Sequence, residues 1–524
     1  MKKKLLALLL AGAMAIGLVA CGNSGTTQDN NATTEDDANK DNTDETTEVK
    51  ETFTYAIQSD TGNTLNYFTT DTREGMSFIK MINEPLFTLA ADGSYNFYAA
   101  ESFDVSEDGL TYTAKLKADA KWSDGEALTA DDVVFTFAEY MKQDTSKSFV
   151  VDGQEVAINK LDDTTVSFVL PSAVASFPET VSDVNLLPQH VFEGKDSLDM
   201  NMAEDTIVGC GPYMFDEYVS GQYLKAVKNP YYVNGEANID TVIYQIITDS
   251  ETAKAALQKG EVDAWVASAS QLAGLEDFTV TPYSEGRVAY VRLNRVSDDM
   301  QDANYRKGIL KALNREEIMI AAYSSLDYAT LSYSFLPATN GFYTEDVEQY
   351  TQNIEEAKEL VANGPTELSI CYIGPDPAQT AQAQVIQAQL KQIGITVELC
   401  GLEQAAYVAT AYDNADKTYD MYLGGYIMTI DPDGYKGMFG TGQMINYASE
   451  ELDKLFAEGM VVTDQAKRAE IYTKAQQLVA NEALFYPFGT NLRIIVTNPV
   501  LKGIDKAVLA PIYTFEDMSK LYFE

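Results

Sequence analysis

The chain has 524 residues, 45% of them hydrophobic, and sets 79 acidic side chains against 37 basic ones for a formal net charge of −42. That balance excludes a basic face for nucleic acid or for an anionic bilayer. The single histidine, His190, excludes histidine-rich zinc sites and most catalytic triads, and no metal site or cofactor is expected.

In chain order, Lys2, Lys3 and Lys4 precede an apolar Leu/Ala run ending near Ala20, the pattern of a secretory signal over residues 1–20. The run closes on Val19, Ala20, Cys21 and Gly22, which resembles a bacterial lipobox. Such a cysteine becomes the new N-terminus and carries lipid, and multiple acyl chains on Cys21 would hold a large body at a membrane. Residues 21–50 then turn to Asn, Thr, Asp and Glu with few apolar side chains, so a disordered acidic tether is expected. As a flexible coil it would span roughly 30 Å.

The body of about 470 residues is too long for one core and suits two or three domains. The stretch "SEDGLTYTAKLKADAKWSDGEALTADDVVFTFAEYM" alternates around Tyr112 and Leu116 and then opens a helix at Thr129 with Asp132 at capping-box spacing. It predicts antiparallel strands with one or two helices. Two later segments, 241–267 and 366–400, each read as strand, helix, glycine stop (Gly260, Gly394) and strand. Parallel pairing with a right-handed crossover is predicted for both, hence two α/β lobes. A helix pair is predicted over 305–313 and 314–323, with Asn314 and Glu317 at capping-box spacing. Cys210, Cys371 and Cys400 show no motif spacing; Cys371 and Cys400 could pair, and buried free thiols are the alternative. No Gly-x-Ser-x-Gly elbow, zinc-protease helix or phosphate loop occurs, so no catalytic residue is expected.

The stretch "AESFDVSEDGLTYTAKLKADAKWSDGEALTADDVVFTF" resembles the signature region of the extracytoplasmic solute-binding proteins of family 5, the peptide-binding subunits of ABC importers. "GCGPYMFDEYVSGQYLKAVKNPYY", "GEVDAW", "NYRKGILKALNREEI" and "GGYIMTIDPDGYKGMFG" follow in the family's order. The resemblance implies an α/β, two-lobed periplasmic-binding-protein-like fold, type II and cluster C-like, with an inserted α+β subdomain. Lobe one would take 51–285 and 487–524, with 93–197 inserted; lobe two would take 286–486. The chain would cross between lobes near 286–294 and 484–491.

An extended peptide held in a cleft needs partners for its backbone and a charge for a buried terminus. Asp431-Pro432-Asp433-Gly434 has the residue order of a type I turn. By the resemblance its loop lines the cleft, with an aspartate a few residues earlier pairing with the ligand's amino terminus. Here Ile427, Met428 and Thr429 stand before it, so either Asp431 or Asp433 takes the amine, or the ligand is anchored elsewhere or lacks one. The resemblance also places Gln58 and Asp60 at the cleft edge, with a solvated loop as the alternative, and Tyr426 at a cleft aromatic position, with core packing as the alternative; Gly425 could permit close approach of a ligand or merely end a strand, and Tyr290, Asn294 and Tyr486, in the crossings, could serve either ligand or hinge.

The expected function is that of a membrane-tethered receptor capturing an oligopeptide for an ABC permease and its ATPase. The protein is expected to be a monomer, lipid-anchored on the outer face of a Gram-positive membrane. The same fold could instead bind an oligosaccharide or another small solute, or sense a peptide without importing it.

Overall fold

The structure, a computed structural model, describes residues 50–524 apart from 63–64, 71, 145–146, 183, 197–206, 414, 428, 446–447 and 511. The expectations for the signal segment, the tether and Cys21 lie outside the described residues.

An eleven-stranded sheet organises the body. Its centre is two long antiparallel strands, Thr279–Leu293 and Phe485–Thr497, paired from Thr279↔Thr497 to Arg292↔Phe485. Their register shifts between Ser284 and Val288, where Gly286 has a φ of 68°, a left-handed conformation that glycine adopts without a Cβ clash. On one side of this pair lie the parallel strands Ala264–Ala267, Thr52–Ile57 and Thr241–Ile246. On the other lie Met421–Tyr426, Glu367–Ile373 and Thr396–Leu402.

Both predicted strand–helix–strand units form, and they differ in one respect. In the second, Glu367–Ile373 pairs directly with Thr396–Leu402, bringing Cys371 opposite Cys400, both as free thiols. In the first, Thr52–Ile57 lies between the unit's two strands, so these are parallel without being neighbours. The N-terminal strand is all β-branched, aromatic and small residues, and it fills the central slot of that half. Gly260 and Gly394 end the two helices in the left-handed region. Asn314 caps its helix by accepting from the Glu317 amide, but the reciprocal bond of a capping box is replaced, because Gln389 accepts from the Asn314 amide.

A separate four-stranded antiparallel sheet, in the order 100–105, 111–116, 165–169 and 157–162, carries helix Ala130–Gln143. Thr129 and Asp132 form the reciprocal capping box there, with the Thr129 amide donating at 2.8 Å. Three cores result. One joins Phe53, Phe78 and Tyr244 to the C-terminal Phe515 and Leu521; a second, around Trp122, Phe137 and Phe168, lies in the four-stranded unit; the third, around Phe335, Phe439 and Phe485, fills the other half of the large sheet. Phe168 is fully buried and makes edge contacts with Phe103, Phe137 and Phe177. Phe168→Ala is expected to cost about 3–5 kcal/mol, read as a lowered urea midpoint of the transition that unfolds this unit.

Candidate functional site

In an open α/β sheet a ligand usually binds beyond the C-terminal ends of the strands, and the loop that follows Met421–Tyr426 borders a cavity of this kind. The cavity, of about 630 Å³, lies between the four-stranded unit and that loop. The aromatic residues Tyr67, Phe68, Tyr140 and Phe149 line it, with the carboxylates of Asp144, Glu179 and Asp433; no lysine or arginine is among its described lining residues. A second cavity of about 530 Å³ lies beside the central strands and is bounded by Gln58, Ser250, Tyr323 and Arg493.

The loop 429–434 is built around a buried ion pair. Arg468, on helix Gln465–Asn481, has a side chain 1% exposed and donates to both oxygens of Asp431, at 2.8 and 2.7 Å, while its Nε donates to the Gly459 carbonyl. Asp431 also accepts from the Asp433 amide and so caps the short turn Pro432–Tyr435. From the four-stranded unit, Glu179 accepts from the amides of Ile430 at 2.5 Å and Asp431 at 2.8 Å. Burial, the largest influence on Glu179, pushes its carboxyl up to about 7 against those two amide donors.

The two aspartates of the turn therefore differ in role. Asp431 is engaged by Arg468 and is not a free partner for a ligand amine, which corrects one of the expected alternatives. Asp433 faces the cavity: Ser176 Oγ donates to Oδ2 at 3.4 Å, and Oδ1 is buried with no hydrogen-bond partner among the described residues. Burial raises the Asp433 carboxyl above its ordinary value, and the neighbouring Asp431 adds to the rise.

Most other expected site residues are drawn inward. Tyr290 and Tyr426 stack with Phe485 in the core, and the Tyr426 hydroxyl donates to the Phe335 carbonyl. Tyr486 is 2% exposed beneath the Arg315 guanidinium. Asn294 donates both amide hydrogens to the backbone carbonyls of Asp416 and Tyr419. Their apolar and polar surfaces are satisfied within the protein. Asp60 is likewise engaged, accepting from Tyr218, Gly221 and Gly62; burial alone would raise its carboxyl, but these donors hold it below the usual range. Gln58 is exposed at the second cavity and donates to Ser250. Gly425 is half-buried, and the guanidinium of Arg287 lies where a side chain would project. Met428 is outside the described residues.

Glu179, Ser176, Tyr140 and Arg468 escaped sequence reasoning. Only Arg468, a cation on the buried face of a helix, carried a signal, namely that such a charge requires a partner.

The sequence profile of the bacterial extracellular solute-binding proteins, family 5, matches residues 97–446. The chain belongs to this family. It is similar to the ABC transporter substrate-binding protein CtaP of Listeria monocytogenes, with a TM-score of 0.84 and 32% identity, covering 91% of this chain and 99% of that one. The oligopeptide-binding protein AppA of Bacillus subtilis is 27% identical, over 74% of this chain and 77% of its own. Heme-binding protein A of Haemophilus influenzae is 24% identical, over 95% and 96%. The two-lobed α/β fold of the family is thus the fold of this chain. Members of the family are extracytoplasmic solute-binding components of ABC importers, working with permease and ATPase subunits, and are not enzymes. Among the described residues no helix is long and apolar enough to cross a membrane.

Removing the cation from the Asp431 pair leaves a carboxylate that is only 11% exposed without its counter-charge. Arg468→Met is expected to destabilise the protein by about 3–5 kcal/mol, measured by denaturant unfolding at pH 7, whereas replacing both partners together by apolar residues is expected to restore much of the loss.

Proposed function

We propose that this solute-binding component captures an oligopeptide between its lobes, with Asp433 receiving a ligand amine. On this reading lobe one comprises 51–285 and 487–524 with 93–197 inserted, and lobe two 286–486. The register shift at 285–287 between the long strands is the place for the crossing to bend, since a bulge already interrupts the ladder there. Cys21 carries the lipid and residues 22–50 the tether, on the outer face of a Gram-positive membrane.

One observation carries the ligand assignment: the buried Asp433 oxygen without a partner, at a cavity lined by aromatic rings and carboxylates and by no described cation. A lone buried carboxylate oxygen is costly unless an N–H completes it. An ammonium supplies that donor together with the missing charge. The rings supply apolar area for an adjacent side chain.

Native mass spectrometry of the protein, purified without refolding, tests the reading. A ladder of co-purifying peptide masses is expected, and a single hexose-series mass, or a haem, would sink it. Against a captured peptide, Asp433→Asn is expected to weaken binding about tenfold to a hundredfold, the range for a hydrogen bond to a charged group. The sign for stability is opposite. Because the folded protein raises the Asp433 carboxyl, its ionised form is disfavoured at pH 7, and the asparagine variant should melt at the same temperature as the parent or higher.

A further inference from the structure

Three links join the inserted subdomain to the second lobe within a few residues. Glu179 accepts from the Ile430 and Asp431 amides, the Ser176 hydroxyl donates to Asp433, and the Ala175 amide donates to the Met460 carbonyl at 2.7 Å. All three come from residues 175–179, which enclose one wall of the cavity. Of the three, only the Glu179 link ends in a titratable group that takes two backbone donors at once.

We propose that Glu179 is the latch of the cleft: the inserted subdomain closes onto the second lobe by lodging this one carboxyl on the Ile430 and Asp431 amides, and closure is thereby linked to its protonation. The inference rests on the two lobes closing around a solute and is independent of whether that solute is a peptide.

The receiving side is rigid. Arg468 fixes Asp431, and Asp431 fixes the turn that follows, so the two amides are held at one spacing before the carboxyl arrives. The groups facing Glu179 are the Asp431 carboxylate on the loop, the Arg468 guanidinium behind it and the Tyr435 phenol, and the Asp433 and Asp144 carboxyls share the cavity with it. The guanidinium is already matched by Asp431, so it leaves little net charge to favour an ionised Glu179. Closing therefore strips the half-buried carboxyl of part of its water, and this burial outweighs the two amides.

The direction follows from linkage. In the closed form the carboxyl titrates at about 7, while swung into water it returns toward its ordinary 4.5. The closed form thus binds the proton more tightly, and closure is favoured as pH falls through 7 toward 4.5. Above 7 the carboxyl is ionised in both forms and closure is at its weakest. A protonated carboxyl still offers its carbonyl oxygen to one amide. The closed-to-open ratio is expected to fall at least about tenfold from pH 5 to pH 8, since each unit of pKa difference is a factor of ten.

Small-angle X-ray scattering of the solute-free protein across pH 5 to 8.5, with amide exchange of residues 430 and 431 referenced to a variant at each pH, tests this. The wild-type radius of gyration is expected to grow with pH through about 7 as those amides lose protection. Glu179→Gln keeps one acceptor oxygen and cannot titrate; it should fold with the parent's circular dichroism and lose the transition near pH 7, keeping only the weaker dependence that Asp433, bonded to Ser176 across the same contact, contributes. Glu179→Ala should be more open at every pH, and Glu179→Asp should regain part of the profile. A Glu179→Gln profile identical to the wild type, a wild-type radius constant over the range, or closure that strengthens as pH rises would each overturn the latch. Because the measurement is made without solute, an absence of peptides in the native mass spectrum would leave it standing.

Discussion

Arg468 carries a full positive charge in a place with almost no access to water, and the cleft-facing loop is arranged around that requirement. An unpaired guanidinium there would be far less stable than one held by a carboxylate in a forked geometry. Asp431 supplies the fork and simultaneously caps its own turn. Once those bonds exist, the amides of Ile430 and Asp431 point away from the ion pair toward Glu179, and Asp433 is carried to the cavity wall. A pair outside the cavity lining therefore decides where cavity-lining groups stand.

A second charge cluster gathers at the register shift of the long strands. Glu285 is approached by Arg73 at 2.9 Å and Arg493 at 3.3 Å, with Asn491 nearby. These partners come from an N-terminal helix and from the second long strand, so the bulge is braced on the side of the first core while Val288 onward belongs to the core of the other half. A bend located at 285–287 would leave both cores intact. It would ask only a few backbone torsions to change, which is how hinges between packed bodies usually work.

Patterns of short range were legible in the sequence. The Thr129–Asp132 cap, the stops at Gly260 and Gly394 and the Asp431-Pro432 turn each depend on neighbours within four residues, and each formed. What the sequence hid was pairing at a distance. Nothing local distinguishes Asp431 from Asp433; Arg468, 37 positions on, takes one and leaves the other to the cavity. The family resemblance placed Tyr426 at a cleft aromatic position and Tyr290, Asn294 and Tyr486 in the crossings, where aromatic and amide side chains could serve a ligand or a hinge. They serve a core equally well once a carbonyl or a guanidinium lies in reach, as Phe335, Arg315 and Asp416 do here. Insertion of Thr52–Ile57 between the strands of the first βαβ unit was invisible for the same reason.

The distribution of charge joins these scales. A chain with 79 acidic and 37 basic residues is surrounded by a negative potential that draws cations and repels anions. The cavity beside Asp433 has the same sign, with Asp144 and Glu179 on its walls. A free amine on an otherwise apolar segment would be favoured twice, by the field during approach and by the orphan oxygen on arrival. A solute whose charge is carboxylate would be opposed at both steps. Protonating Glu179 lessens the negative charge of the wall just as the lobes meet, so that the amine, once inside, has Asp433 as its main counter-charge and the latch carboxyl is free to hold the loop.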